Sequence, residues 1–209
     1  MRLLPSGHRW KNDKQPADCG SVSRINKQAV HPNHSVQHRF PREVRFCPLC
    51  GGPMERRPVL PEGNEHPVCT QCGFVFFASP KLAVGCLVIE GGRVLLLKRG
   101  NEPAMGKWTF PGGFVEFGER AIDAAVRETS EEVGLRAIVD RLLGVYTDTS
   151  NHNAQLIAYL AHPQSGAATQ SSEAVEVRYF APPEIPWDAI AFPSTAEALT
   201  DWSRVVKRS

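Results

Sequence analysis

Residues 113–135 read GFVEFGERAIDAAVRETSEEVGL, and this stretch decides the fold. It predicts a helix from Glu119 to Val133, because apolar residues recur at helical spacing within a polar sequence. Gly134 follows the last turn, where glycine accepts the left-handed conformation that ends many helices. The apolar stripe that we expect to face the core consists of Ile122, Val126 and Val133.

Three carboxylates lie close together on this predicted helix. Glu128 and Glu132 are one turn apart and Glu131 lies three residues beyond Glu128, so all three share one side of the helix. Like charges at this spacing repel each other, and a bound cation such as Mg²⁺ would reverse that effect. The alternative is an ordinary solvated acidic face. The approach to the helix favours a metal site, because residues 110–113 (FPGG) let the backbone come close to a ligand.

The spacing of these residues resembles the Nudix box, the signature of the Nudix hydrolases. Every fixed position is present, and one flexible position differs, since Thr129 stands where the family prefers a bulky apolar residue. The resemblance implies an α/β (α+β) fold of the Nudix type, with a mixed sheet sandwiched between helices. The matching residues are Gly113, Glu119, Arg127, Glu128, Glu131, Glu132, Gly134 and Leu135.

The same resemblance implies the chemistry of the site. A backbone carbonyl of Gly112 or Gly113 would help to bind the metal, and Glu119 and Arg127 would hold the carboxylates in place. Such divalent ions neutralise a diphosphate and lower the pKa of the water that attacks phosphorus. The carboxylate ligands of the catalytic Mg²⁺ or Mn²⁺ would be Glu128, Glu131 and Glu132.

In several Nudix enzymes a carboxylate after the box serves as the general base, and two candidates precede the last predicted strand. Glu173 lies nearer the loop than Glu176 does, so we expect Glu173 to be the base. The alternative is an exposed loop glutamate without a catalytic role.

Two CxxC pairs, at residues 47–50 and 69–72, are separated by 18 residues. This spacing predicts a zinc ribbon with one structural Zn²⁺, whereas a single CxxC would leave a redox pair open. Cys86 lies in an apolar run and is expected in the core, and Cys19 receives no role. The four zinc ligands would be Cys47, Cys50, Cys69 and Cys72.

Composition divides the chain into three parts. Residues 1–44 are polar and basic, and we expect them to form a disordered tail. Residues 45–80 are expected to form the zinc ribbon and residues 81–209 the Nudix domain. The formal net charge of +2 gives no global preference for nucleic acid or membrane. The longest apolar run, residues 82–89, is far shorter than the roughly 20 residues of a membrane span. No signal-peptide core is visible, so the cytoplasm is the expected compartment.

The remaining elements are predicted from periodicity and turn residues. A hairpin turn is expected at residues 90–92 and a loop at residues 111–113. A last helix is expected from Ser194 to Val206, with Ser194 as its N-cap. The predicted strands are Leu82–Ile89, Arg93–Lys98, Trp108–Phe110, Ala137–Asp148, Gln155–Ala161 and Val175–Phe180.

A ribbon directly before a Nudix domain narrows the resemblance, which covers residues 45–200, to two groups of pyrophosphatases. NADH pyrophosphatases carry the run SQPWPFP after the box, which this chain lacks. Typical ADP-ribose pyrophosphatases carry a proline past the box, which is also missing, but residues 184–192 (EIPWDAIAF) look like the tail of the FAD/ADP-ribose group. We therefore expect hydrolysis of FAD or ADP-ribose with release of AMP. Candidates to stack on a base or flavin are Phe114, Phe117 and Tyr146.

Three other functions stay open at this point. They are NADH pyrophosphatase activity, hydrolysis of NAD-type caps on RNA, and a non-catalytic module that senses nucleotides. The basic tail beside a ribbon gives weak support to RNA as a partner. Loss of box carboxylates would favour a binding module, and none is lost. Pyrophosphatases of this kind are dimers as a group, so the resemblance implies a homodimer.

Overall fold

The computed structural model describes residues 44–61, 63–148 and 154–206, with side chains as far as Arg204. The predicted tail up to residue 43, with Cys19, lies outside the described residues. The region of the cysteine pairs contains an antiparallel hairpin of β1 (Met54–Val59) and β2 (Asn64–Cys69). The remaining elements are β3 (Lys81–Glu90), β4 (Arg93–Arg99), β5 (Trp108–Thr109), β6 (Gly112–Phe114), α1 (Ala121–Val133), β7 (Arg136–Thr147), β8 (Ala154–Ser165), β9 (Ala174–Phe180), two 3₁₀ turns (Pro182–Glu184 and Trp187–Ala189) and α2 (Pro193–Val206).

The main sheet has seven strands and is mixed. Its order is β5-β4-β3-β8-β7, with β6 also paired to β3 and β9 paired to β4. Strands β3 and β8 run parallel, and the other pairs are antiparallel. Strands β3 and β4 pair only beside their turn, at Ile89 with Val94 and Glu90 with Arg93. Beyond it β3 pairs with β6 and β8, whereas β4 pairs with β5 and β9, so the centre of the sheet is forked.

Two apolar cores lie on opposite sides of the strands, one with each helix. Side chains alternate along a strand, so Leu87 of β3 joins the core that contains Leu199 and Trp202 of α2. Its neighbours Cys86 and Val88 join the core that contains the buried residues of α1. The predicted mixed sheet between helices is therefore confirmed, and so is the placement of Cys86 in the core.

Residues 112–114 form a strand where a loop was predicted. Gly112 pairs with Gly85, and Gly113 pairs with Val84. A Cβ atom on Gly112 would collide with the carbonyl oxygen of Val84 and the Cα of Gly85, so only glycine fits this register. Glycine ordinarily weakens a strand, which is why the pattern predicted a loop.

Helix α1 begins two residues later than predicted and ends at the predicted Gly134, whose φ of 68° is left-handed. The predicted apolar stripe was only partly right, because Ile122 and Val126 are half-buried. Alanines allow the helix to approach the sheet closely. Thr129 is fully buried, and burial is tolerated because its hydroxyl donates to the carbonyl of Ala125 at 2.8 Å. The buried face consists of Ala124, Ala125, Thr129, Glu132 and Val133.

Helix α2 begins at Pro193, one residue before the predicted start. Proline suits the first helical position, because its fixed φ is helical and its missing N–H would have no partner there. Ser194 is therefore a buried residue of the first turn, and its predicted role as N-cap is wrong. Among the described residues, no helix is both long and apolar enough to cross a membrane.

Candidate active site

Arg127 lies at the centre of a cluster of three glutamates. Its guanidinium contacts Glu119 through Nε and Nη2, at 2.9 and 3.0 Å, in the forked geometry that matches a carboxylate. Its Nη1 donates to Glu128 and Glu131, both at 2.8 Å, and Nη2 also reaches the carbonyl of Phe114 at 3.3 Å. One side chain thus links the turn before α1, the helix itself and the end of β6.

Electrostatics in this cluster follow from the ion pairs. Hydrogen bonding to Arg127 lowers the pKa of Glu119, so this carboxylate stays ionised. The hydrogen bonds of Arg127 to the glutamates, above all the one to Glu119, raise the pKa of Arg127. Glu119 lies in the turn before α1, where its carboxylate also accepts the backbone N–H of Glu116 at 3.2 Å. Asp123, which lies four residues before Arg127 on α1, pairs with Arg120 at 3.5 Å.

Two of the box carboxylates converge on the glycines of β6. The Gly112 N–H donates to Glu132 Oε2 at 2.8 Å. The Glu128 carboxylate packs directly against Gly113, so closely that a Cβ atom at this position would overlap it. Glycine at position 113 therefore allows β6 and the Glu128 carboxylate to approach each other, whereas Gly112 is required by the backbone of β3.

Glu132 is the most buried carboxylate of the group. Burial raises its pKa to about 7, and repulsion by Glu128 and Glu173 adds to this effect. The N–H of Gly112 and the positive charge of Arg99 act in the opposite direction. Glu131, by contrast, is 59% exposed and is held by Arg127.

This donor set fits a hard divalent cation. Its carboxylate oxygens lie beside a backbone that side chains leave open, and Mg²⁺ prefers such oxygen ligands. The three glutamates do not form a preassembled cage, because Arg127 lies between Glu128 and Glu131. Over residues 44–61, 63–148 and 154–206, only the four cysteines bring three or more ligand atoms within 4.8 Å of one another.

Glu173 lies just before β9, and its carboxylate is near enough to Glu132 to raise the pKa of that group. Its side chain is exposed. Glu176, the other candidate, pairs with Lys98 at 3.4 Å. Sequence reasoning missed Ser171, whose hydroxyl donates to the backbone carbonyl of Glu132 at 2.9 Å. A serine before a strand signals a local turn, but nothing in the sequence signals this contact with a distant helix.

The four cysteine sulfurs form one cluster. Cys47 Sγ lies 3.6 Å from Cys72 Sγ, and Cys50 Sγ lies 3.5 Å from Cys69 Sγ. Tetrahedral Zn–S bonds of about 2.3 Å place sulfurs about 3.8 Å apart, so the cluster has the dimensions of a zinc site. Backbone N–H groups of Cys72 and Gln71 lower the pKa of Cys69 to about 6, which favours the thiolate that binds zinc.

The three aromatic candidates for stacking on a substrate differ in their surroundings. Phe114 is half-exposed, with Lys81 Nζ 4.9 Å from its ring centre, and Phe117 is fully exposed. Tyr146 is buried in the core beside α2 and its hydroxyl donates to Asp201 at 3.2 Å. Tyr146 is therefore a core residue, and its predicted stacking role is wrong.

Sequence comparison identifies the domain that carries this site. The family described as NUDIX domain matches residues 79–202. The chain belongs to the Nudix family. A second family, the Nudix N-terminal zinc ribbon, matches residues 45–78 and contains the four-cysteine cluster.

Relatives of this Nudix chain include enzymes and a solved structure. An ADP-ribose pyrophosphatase of Methanocaldococcus jannaschii is 35% identical over 108 residues, which are 50% of this chain and 63% of that protein. An NAD-capped RNA hydrolase NudC of Haemophilus influenzae is 31% identical over 159 residues, which are 75% of this chain and 56% of that protein. The chain thus spans somewhat more than half the length of these relatives.

The fold is also that of a solved Nudix structure. The crystal structure of a NUDIX hydrolase from Nitrosomonas europaea matches with a TM-score of 0.69 and 34% identity. The match covers 78% of this chain and 91% of that one. The chain is therefore a Nudix protein in both sequence and architecture.

Proposed function

We propose that this Nudix protein hydrolyses the diphosphate bond of a nucleoside-diphosphate derivative. The observation that carries the proposal is the convergence of Glu128 and Glu132 on Gly112 and Gly113, beside the Arg127 cluster. This arrangement presents carboxylates and an open backbone to a cation that also binds phosphate.

Each residue of the site has a defined task in this proposal. Glu119 and Arg127 position the carboxylates, and the carbonyl of Gly112 or Gly113 adds a ligand. A bound cation would neutralise the charge of the diphosphate and lower the pKa of the attacking water. Glu173 accepts the proton of the attacking water on its carboxylate. The Mg²⁺ or Mn²⁺ ligands would be Glu128, Glu131 and Glu132.

The proposed substrate is FAD or ADP-ribose, cleaved with release of AMP. The relative named ADP-ribose pyrophosphatase supports this class of substrate. We assign residues 45–80 to the ribbon, with Zn²⁺ in a structural role, and residues 81–209 to the Nudix domain. A cytoplasmic homodimer acting on a small nucleotide completes the proposal.

Hydrolysis of NADH or of NAD-capped RNA is the second candidate. The relative named NAD-capped RNA hydrolase favours this candidate. Its alignment covers 159 residues, which is more than the Nudix domain match at residues 79–202 alone, so the similarity is not confined to that domain. A nucleotide-sensing module without catalysis would bind these compounds and leave them intact.

A substrate panel tests these functions together. FAD, ADP-ribose, NADH and NAD-capped RNA are each incubated with the protein and Mg²⁺ or Mn²⁺, and AMP or cleaved RNA is quantified. We expect the highest kcat/KM for FAD or ADP-ribose, and a preference for capped RNA would favour the second candidate. Binding without hydrolysis of any compound would refute the enzyme.

The site assignment is tested with Glu131→Gln, which removes a proposed ligand charge from an exposed position. We expect turnover to fall by about 100-fold or more while the fold survives. Asp123→Asn is the matched control, because Asp123 lies on the same helix and pairs with Arg120, which is not part of the proposed site. Substantial activity in Glu131→Gln would contradict the assignment.

A further inference from the structure

The C-terminal end of α1 is fastened to the segment that precedes β9. The last carbonyl groups of a helix have no partner within it, and here two of them are taken by this segment. The Val133 carbonyl accepts the Thr169 N–H at 2.8 Å, and the Glu132 carbonyl accepts the Ser171 hydroxyl at 2.9 Å. The segment is therefore tied to the backbone of a proposed metal ligand.

Ser171 uses the full hydrogen-bonding capacity of its hydroxyl. A serine hydroxyl has one donor and two acceptor positions. Its Oγ donates to the Glu132 carbonyl and accepts the N–H groups of Glu173 at 3.3 Å and Ala174 at 3.1 Å. One oxygen atom thus joins residue 132 of the helix to residue 173 of the next segment.

The backbone of Glu173 is held from both sides. Its N–H is bound by Ser171, and its carbonyl accepts the N–H of Gly100 at 2.8 Å. Gly100 itself lies so close that a Cβ atom would collide with the carbonyl oxygen of Ser172. The Glu173 side chain is exposed and its carboxylate acts electrostatically on Glu132, so the anchored backbone limits where this carboxylate can lie.

We propose that Ser171 is a positioning residue. The three hydrogen bonds of its hydroxyl hold Glu173 in place beside the diphosphate site. This inference rests on the proposed hydrolase function and on Glu173 as general base. A positioning role predicts an effect on the chemical step and little effect on binding, because the Ser171 hydroxyl is bonded to backbone atoms of Glu132, Glu173 and Ala174.

The test is a double-mutant cycle on the full-length protein, with the best substrate of the panel and saturating Mg²⁺. Glu173→Gln should lower kcat by about 100-fold, within the usual range for a general base. Ser171→Ala should lower kcat by about tenfold with KM changed less than twofold, as a displaced base would. In the Glu173→Gln background, Ser171→Ala should have no further effect on kcat.

Three variants separate positioning from stability. Ser171→Thr keeps the hydroxyl and should retain kcat within about threefold of the original protein. Ser171→Cys keeps the shape with weaker hydrogen bonds, and it replaces Ser171→Ala in the cycle if the alanine variant does not fold. Ser172→Ala, with an exposed side chain at the next position, is the matched control and should leave kcat unchanged.

The possible outcomes separate the positioning role of Ser171 from the proposed hydrolase function on which it rests. Equal loss of kcat from Ser171→Ala in both backgrounds, or no loss in either, overturns the positioning role. Full activity of Glu173→Gln in an active enzyme also overturns it, while the hydrolase stands. Absence of hydrolysis by the original protein refutes the hydrolase and this inference with it.

Discussion

The Glu132 carboxyl group is buried against the backbone of β6. Burial favours the neutral form and raises its pKa to about 7, so this group changes charge near neutral pH. A metal ligand must be deprotonated. A divalent cation at the proposed site would therefore compete with protons for Glu132 near neutral pH.

This competition predicts a pH dependence of stability. The folded pKa of Glu132 lies above its unfolded value of 4.5, so its contribution to the free energy of unfolding is complete below pH 4.5. The contribution is lost as pH rises through about 7. We expect the free energy of unfolding without added Mg²⁺ to fall from about pH 4.5 to about pH 7, and Glu132→Gln to reduce this fall, as measured by urea unfolding. Asp123→Asn should keep the original slope, and an unchanged slope in Glu132→Gln would contradict the assignment.

The two adjacent glycines of β6 predict opposite consequences for alanine substitution. At Gly113 the atoms nearest to a Cβ belong to the end of the flexible Glu128 side chain, which can move aside. Gly113→Ala should therefore lower Mg²⁺ affinity and kcat by about tenfold or more, with little change in Tm. At Gly112 the obstacle is the backbone of β3, so Gly112→Ala should lower Tm strongly. Equal changes in Tm for both variants would contradict this distinction.

At the scale of the element, α1 combines a sequence-encoded pattern with contacts that the sequence does not encode. The box spacing predicts the helix and its Gly134 end, because both follow from local conformational preference. The buried face departs from the predicted stripe, since contact with β3 favours small residues at Ala124 and Ala125. The Ser171 contact joins residues 39 positions apart, which periodicity cannot reveal.

Arg127 compensates the repulsion within α1, and this leads to a prediction about the helix. Its forked guanidinium serves Glu119, Glu128 and Glu131 together, which the single ammonium of a lysine cannot do. Arg127→Lys should lower kcat by about tenfold or more despite the retained charge. Arg127→Gln should lower Tm without Mg²⁺, and saturating Mg²⁺ should recover more Tm in this variant than in the original protein. The same Mg²⁺ increment in both proteins would contradict the compensating role.

At the scale of the molecule, the Nudix domain and the ribbon are stabilised in different ways. The Nudix domain has two apolar cores, each packed between strands and a helix. In the ribbon, β1 is mostly exposed, and the large apolar side chains of Phe46, Leu49 and Leu60 are exposed as well. With so small a core, we expect a metal bound by the cysteine cluster to supply much of the folding free energy of residues 45–78.

Zinc removal should therefore unfold the ribbon selectively. Cys50→Ser removes one of the four clustered sulfurs, and we expect zinc content to fall from one equivalent to a small fraction of it. Amide hydrogen exchange should then show lost protection in β1 and β2, while α1 and β3 keep theirs, because the two cores of the Nudix domain do not depend on the metal. Cys86→Ala is the matched control, since Cys86 is a cysteine of the Nudix core and should keep the full equivalent of zinc. Less than about half an equivalent in freshly purified original protein would contradict the zinc site, and loss of protection in α1 would show that the metal stabilises more than the ribbon.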